Sequence, residues 1–273
     1  MRMLITSGGT KVPIDMVRDI SNLSHGTFGS LIAHVALENG HEVDFLCAKH
    51  SKTPFSKTFD FYRDPDTPMP QHFEDWEAAL DAFSELFNFC EAHRRRYREI
   101  RYRNFDHYAV HLQDLIRGSD PPYDAVVLAA AVSDYGVANY VEGKIRTSDN
   151  QRIDLAPLQK LISRVKQWNS SCVLTGFKLL VNSIETELIR AATDSIESNQ
   201  CDLVIANDLR DIKANNHKLL IVDQNGVTPH HKFDEPDDPL YLAKQVVQRT
   251  EEAWKAKRES QSEETSSSAS PVV

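Results

Sequence analysis

The chain has 273 residues, enough for one large domain or two small ones and for a sizeable core. Hydrophobic residues make up 41% and charged residues 26%, as in a soluble globular protein, and a net charge of −9 gives no general attraction for a nucleic-acid backbone. No apolar run reaches the ~18 residues of a membrane span, the N-terminus lacks the apolar core of a signal peptide, and four scattered cysteines without CxxC or metal spacing read as reduced thiols in a cytosolic protein.

The run Met1–Ile5, stopped by Gly8-Gly9, predicts a buried strand at the very start of the chain. From Phe28 to Gly40 the apolar residues Phe28, Leu31, Ile32, Val35 and Ala36 share one helical face, and Asn39-Gly40 supplies the stop. His41–Cys47 is a second strand, which closes a βαβ unit with parallel pairing. Residues 50–70 read as loop and residues 72–90 as helix. The stretch HRRRYREIRYRNFDHY that follows is basic with aromatics between. Such patterning serves RNA contact in some proteins. Nothing else here looks nucleic-acid-binding, so it reads as a solvated helix face or a surface insertion.

Tyr123–Val132 is a continuous apolar run of the kind found in central parallel strands. Helices are expected over 154–168, 183–199 and 238–257, and strands over 172–175, 201–207 and from 218 into an Asn225-Gly226 hairpin turn. The predicted fold is one doubly wound, Rossmann-like α/β domain over residues 1–257, mostly parallel, with a C-terminal β-hairpin extension. Residues 51–120 are expected to be a variable insertion or lid, and 258–273 a disordered tail poor in core-forming side chains.

In an open parallel sheet, ligands sit beyond the carboxyl ends of the strands. Four strand ends carry unusual content: Thr6–Lys11, Ala130–Tyr135, Gly176–Lys178 and Ala206–Asp208. A second glycine turn, Ser24–Gly29, leads into the first helix. Glycines let backbone amides approach an anion unobstructed, and a helix N-terminus favours negative charge. A generic tight turn is the competing reading of either loop alone. Neither GxGxxG nor a Walker GxxxxGK[ST] is present, which disfavours an ordinary NAD site or a P-loop NTPase.

The segment TSGGTKVPIDMVRDISNLSHGTFG resembles the phosphopantothenate–cysteine ligase family, whose bacterial members typically read TSGGTxEPIDxVRxISNxSSGxxG. Ala129–Tyr135, read AAAVSDY, is similar to the family's AAAVADY, and Lys144-Ile145-Arg146 to its KIKK element. Gly176-Phe177-Lys178-Leu179 and Val204–Asp208 resemble two further family elements, in the same order along the chain. The resemblance implies joining of 4′-phosphopantothenate to L-cysteine. A nucleoside triphosphate, CTP or ATP, activates the carboxylate as an acyl-nucleotide, and the cysteine amine then displaces the nucleoside monophosphate. A divalent cation, Mg2+ or Mn2+, normally spans the triphosphate.

By the same resemblance, Lys144 neutralises charge during activation, and Asn22 holds the acyl-nucleotide during cysteine attack. Ser7, Gly8, Gly9, Ser24, Gly26, Gly29 and Ala130 take the nucleotide, Asp134 its ribose or the metal, and Phe177 its base. Asn207 shapes the pantothenate pocket, while Arg18 either pairs with a substrate phosphate or fixes its own loop. Bacterial-type enzymes carry two lysines on the helix after the GF loop. Residues 185–199 have Arg190 and no lysine, and Phe177-Lys178-Leu179 looks more like the ATP-using branch. No segment precedes the first strand, so no flavin and no decarboxylation are expected, and a cytoplasmic homodimer using the hairpin is. The alternatives are a non-catalytic nucleotide-binding protein, or an NAD(P)-dependent reductase, which would want GxGxxG near residue 8.

Overall fold

A computed structural model of the chain describes residues 1–55, 73–147, 152–213, 219–227 and 239–267. The strands in chain order are β1 (Arg2–Ser7), β2 (Lys11–Pro13), β3 (Asp19–Ser21), β4 (Glu42–Ala48), β5 (Tyr97–Tyr102), β6 (Ala125–Leu128), β7 (Tyr135–Val137), β8 (Leu155–Pro157), β9 (Val173–Leu180), β10 (Leu203–Asp208), β11 (Leu220–Asp223) and β12 (Gly226–Val227). The helices are α1 (Thr27–Glu38), α2 (Phe73–His93), α3 (Phe105–Arg117), α4 (Ile162–Trp168), α5 (Glu185–Asn199), α6 (Leu209–Lys213) and α7 (Pro239–Ser267). Eight strands form one sheet in the order β12-β11-β10-β9-β6-β1-β4-β5. The pairs β4–β5, β6–β9 and β9–β10 are parallel, and the C-terminal strands β11 and β12 add antiparallel, as expected of a mostly parallel α/β sheet ending in a hairpin. Short antiparallel pairs β2–β3 and β7–β8 stand outside it.

By its internal contacts the chain divides into two compact units. One comprises residues 1–4, 112–128 and 160–273. Its core is apolar on both faces of the strands: Val126, Val127, Leu174, Val204, Ile205, Ile221 and Val222 are buried, as are Ala243, Val246 and Val247 of the last helix. Asp124 locks the entry to β6. Its carboxylate accepts from the Arg2 amide at 2.7 Å and from Trp254 Nε1 at 2.9 Å. The other unit comprises residues 5–111 and 129–159. Ile32, Ala33 and Leu37 of α1 are buried with Phe45 and Leu46 of β4, and the rings of Tyr102 and Tyr108 meet edge-on at 5.1 Å.

Several elements depart from the sequence reading. The basic stretch is neither a helix face nor an insertion over residues 97–102, which form β5, a strand paired in parallel with β4. Its charges fit an edge strand, where arginines discourage pairing with another chain, and Arg98 forks onto Asp44 of β4 at 2.8 and 2.6 Å. The helix expected over 154–168 starts only at Ile162, because Pro157 cannot donate to a helix and holds the residue before it extended. Residues 155–157 pair with β7 instead. The strand expected to stop at Thr175 runs on to Leu180, so Gly176–Lys178 is strand and not loop. The last helix continues past residue 257 to Ser267, where the tail was expected to have begun. Of that tail, residues 268–273 lie outside the described residues, as do residues 56–70 of the expected loop. Cys47, Cys172 and Cys201 are buried thiols, as their apolar surroundings imply, and burial pushes each upward, Cys47 and Cys201 to about 12 and Cys172 to about 11.

One charged cluster secures the first unit. Asp202 accepts from Lys166 at 2.6 Å, from Lys257 at 2.7 Å and from the Leu174 amide at 2.7 Å. Burial opposes its charge, but the hydrogen bonds from Lys166 and Lys257 outweigh that and hold the carboxyl below its ordinary value of 3.8. A depressed carboxyl stabilises the fold fully above its unfolded pKa and loses that contribution as pH falls through the folded one. Asp202→Ala is expected to cost about 2–3 kcal/mol at neutral pH by leaving two ammonium groups, which keep only the Cys172 carbonyl, without their counter-charge. Urea unfolding checks this, and the difference from the parent should shrink progressively below the ordinary value of 3.8.

Candidate functional site

The second unit holds most of the residues expected to act. Strand β1 is buried to its end, where the backbone turns through Gly8 at φ +84°, a left-handed conformation that suits glycine. A Cβ on Gly9 would sit 2.3 Å from the Asn22 carbonyl oxygen, so the Thr6–Thr10 turn and the ISN segment touch backbone to backbone. Gly26, also left-handed at φ +74°, is the N-cap of α1 and bears no capping side chain. The first turn of that helix has no acidic residue, leaving its positive end unneutralised by its own sequence.

The Ser7 hydroxyl donates to the Gly26 carbonyl at 3.0 Å, fastening the second glycine turn to the end of β1. Ser7 is fully buried and spends its proton on that carbonyl, so it braces the cradle. A Cβ on Gly29 would come within 2.6 Å of the same hydroxyl. Ser24 Oγ caps the Gly26 amide at 3.4 Å. Behind the turn, the hydroxyl of buried Tyr102 donates to the Ser7 carbonyl at 2.9 Å.

The loop after β6 is laced to the same turn. The Ala131 amide donates to the Gly8 carbonyl at 2.9 Å, and the Thr10 amide returns a bond to the Ala131 carbonyl at 3.0 Å. That carbonyl also accepts from Asn22 Nδ2 at 2.9 Å. The Ala130 amide donates to Thr6 Oγ1 at 3.2 Å, and the Ser133 amide to Thr10 Oγ1 at 2.8 Å. Asp134 follows with an exposed side chain, its carbonyl accepting from the Leu158 amide at 2.8 Å. Asn22 is therefore oriented by the loop it faces, with one amide N–H committed and Oδ1 outside that bond.

Lys144 is placed by a residue that the sequence reading passed over. Asp15 is buried and accepts from the amides of Val17 and Arg18, each at 2.8 Å, from the Arg18 guanidinium, and from the Ile145 amide at 3.1 Å. Arg18 Nη2 also donates to the Ile145 carbonyl at 2.8 Å, and the Met16 amide to the Gly143 carbonyl at 3.0 Å. Of the two roles open to Arg18, the geometry has the one that fixes its loop. Lys144 stands between Gly143 and Ile145 with an exposed side chain. The Arg18 guanidinium, with the three amide donors, holds the Asp15 carboxyl well below the usual carboxylate range although burial opposes it. An Asp three residues before an Arg in a turn, standing at the Asp of the PIDxVR element, is the signal that could have marked it.

Phe177 and Asn207 belong to the other unit. They lie on adjacent parallel strands, Phe177 opposite Ile205 and Asn207 opposite Leu179. Next to Asn207, buried Asp208 accepts from the Ser183 amide at 2.6 Å and the Arg210 amide at 2.7 Å, bonds that depress its pKa. Among the described residues no cluster of three or more His, Cys, Asp or Glu side chains is placed to hold a metal, and no helix is long and apolar enough to cross a membrane.

Comparison with known proteins agrees with this arrangement. Residues 1–61 and 107–252 match the family described as the DNA/pantothenate metabolism flavoprotein C-terminal domain. The unmatched gap falls within the stretch 51–120 that has no family motif. The phosphopantothenate–cysteine ligase of Mus musculus is 31% identical over 233 residues, 78% of this chain and 73% of the mouse protein. The coenzyme A biosynthesis bifunctional protein CoaBC of Thermococcus kodakarensis is 30% identical over 221 residues, 81% of this chain. The chain spans less than half of that archaeal protein, 44% of its length. The crystal structure of the DNA/pantothenate metabolism flavoprotein from Streptococcus pneumoniae superposes with a TM-score of 0.68 at 26% identity, covering 92% of this chain and 98% of that one. The chain belongs to the phosphopantothenate–cysteine ligase family.

If Asp15 is what fixes the lysine segment, Asp15→Ala should release it without unfolding the unit. Amide hydrogen exchange across residues 143–146 is expected to rise at least about tenfold while the buried amides of β1 and β4 keep their protection. Because the carboxyl is depressed, acid should loosen the parent segment only below the usual carboxylate range.

Proposed function

We propose that this chain forms the amide between 4′-phosphopantothenate and L-cysteine through an acyl-nucleotide made from CTP or ATP. The observation that carries the reading is the fastening of two glycine turns, an uncapped helix N-terminus and the loop after β6 into one cradle of backbone donors. The relatives named as phosphopantothenate–cysteine ligases support the substrate pair.

In the first step a carboxylate oxygen attacks the α-phosphorus and pyrophosphate leaves. Both reactants are anionic, so the barrier is electrostatic, and fixed donors placed where charge accumulates lower it. The amides at Gly8, Gly9 and the start of α1 hold the phosphates, with Lys144 supplying a mobile ammonium on a segment anchored by Asp15. In the second step the cysteine amine attacks the acyl carbon and the nucleoside monophosphate departs. Asn22, its orientation set by the Ala131 carbonyl, offers its second N–H and Oδ1 to the acyl-nucleotide and the incoming amine. Ala130 lines the nucleotide, Phe177 packs on its base, and Asn207 contacts pantothenate.

A single exposed carboxylate, Asp134, suits Mg2+ or Mn2+, because Mg2+ usually takes one or two protein carboxylates together with substrate phosphates. The metal would neutralise triphosphate charge. Flavin has no part in this reading, and the cytoplasm, where the thiols stay reduced, is its setting.

A homodimer completes the proposal. Exposed apolar side chains lie in and around the β2–β3 pair of the second unit: Leu23 is 99%, Met16 69% and Val17 63% exposed, with Ile20 on β3 and Val141 bridged to the same loop through Asp15. Exposed apolar surface of this kind is often covered by a partner. This region, rather than the Asn225-Gly226 hairpin, is the better contact surface. Val17→Glu with Leu23→Glu is expected to convert a dimer to a monomer in sedimentation at micromolar protein; an unchanged mass would exclude this face.

Pyrophosphate release from CTP and from ATP in the presence of 4′-phosphopantothenate, each with and without cysteine, tests the activity. Lys144→Ala should lower release at least about a hundredfold in both conditions. Asn22→Ala should leave cysteine-independent activation intact and slow amide formation by a similar factor. Wild-type product formation by both variants would refute the assignment, and uptake of nucleotide without pyrophosphate release in the parent would leave a binding protein.

A further inference from the structure

Ser51 follows β4 in the second unit and is only 4% exposed, yet its hydroxyl has no hydrogen-bond partner. Its backbone is ordinary: the Ser51 amide donates to the Ala48 carbonyl at 3.0 Å, and the Lys52 amide to the His25 carbonyl at 2.9 Å, tying this turn to the second glycine loop. The hydroxyl is wedged between the two glycine turns. A Cβ on Gly26 would lie 2.2 Å from Ser51 Oγ, and one on Gly8 2.6 Å from it. A buried hydroxyl normally finds a partner, and leaving it without one costs the fold its full desolvation. Its neighbours are two left-handed glycines beside a helix N-terminus without a capping side chain, and the Gly8 and Gly26 carbonyls are already taken, by the Ala131 amide and by Ser7 Oγ. With those acceptors spent, what a helix N-terminus beside glycine amides fits is an anion.

We propose that Ser51 is a phosphate-binding residue, whose hydroxyl donates to a phosphate oxygen of the nucleoside triphosphate held against the Gly8 and Gly26 turns. The proposal rests on the nucleotide reading given above and adds to it a side-chain donor from a third segment, outside the two glycine motifs. It also explains why glycine is needed at both neighbours: a methyl group at either would occupy the space of the hydroxyl. Ser7, the other serine at this place, cannot take the role, since its proton is committed to the Gly26 carbonyl.

Calorimetric titration of the full-length parent and of Ser51→Ala with CTP and with ATP, in excess Mg2+, tests it alongside thermal unfolding of the nucleotide-free proteins. A hydrogen bond to a charged phosphate predicts about a tenfold weaker Kd for the accepted nucleotide in Ser51→Ala. Removal of an unpaired hydroxyl predicts an apo Tm that is unchanged or higher. Equal Kd values in parent and variant would overturn the Ser51 assignment and leave the nucleotide site standing. A lowered apo Tm with unchanged Kd would make Ser51 structural. A parent that takes up neither nucleotide would remove the nucleotide reading and the Ser51 role with it.

Discussion

The constraint on which the site depends is a set of backbone approaches too close for any side chain. Gly9 faces the Asn22 carbonyl, Gly29 faces Ser7 Oγ, and Gly26 faces both Ser7 Oγ and Ser51 Oγ, all at distances below 3 Å for an added Cβ. Such contacts bring the end of β1, the ISN segment and the start of α1 into one small volume, and the donors concentrate there. An alanine at any of these positions would have to push backbone or a buried hydroxyl aside. The glycines therefore do more than permit a turn: they set how near three separate segments can come.

A cradle made of amides is positive without carrying a formal charge, and that changes what the rest of the unit must supply. Arg18 and Asp15, whose charges are tied into the loops, neutralise each other. Asp15 spends its lone pairs on Arg18 and on amides from two segments, so its negative charge does not oppose an incoming phosphate. Lys144 keeps its ammonium exposed because its neighbours Gly143 and Ile145, not its own side chain, are bonded to the 14–18 loop. A mobile cation on a fixed backbone can follow charge from a triphosphate to a leaving pyrophosphate. A lysine locked in an ion pair could not.

Local signals carried much of this in the sequence. The βαβ start was legible because two short apolar runs flank a segment of helical spacing within residues 1–48, and each change is punctuated by glycine. The hairpin was legible from Asn225-Gly226. What was not legible is what depends on partners far along the chain. The strand β5 carries five charged or tyrosine side chains among its six residues, and only pairing with β4 makes it a strand. The short pairs β2–β3 and β7–β8 are three residues per strand, below the length at which alternation can be read. Phe177 was assigned to a loop because glycine reads as a break, whereas its ladder continues, and Asn207, expected to end its strand, has one more ladder residue after it. Ser51 carries no motif, and Asp15 lies inside the first family segment without being singled out by it; one is recognised by what it lacks and the other by what it accepts.

The two units divide the chemistry in a way that sequence order hides. β1 contributes its first three residues, Arg2–Leu4, to one unit and Ile5–Ser7 to the other. In the first unit the charges are consumed internally: Asp202 by two lysines, Asp124 by Arg2 and Trp254, Asp208 by backbone amides. Those bonds hold strand ends in place around the β9–β10 ladder that carries Phe177 and Asn207. The second unit instead gathers the amides of two glycine turns beside a helix N-terminus without an acidic first turn, and keeps Lys144 and Asp134 exposed. The pattern of satisfied polar groups therefore differs between the units: one closes its charges on strand ends, the other concentrates donors at its glycine turns.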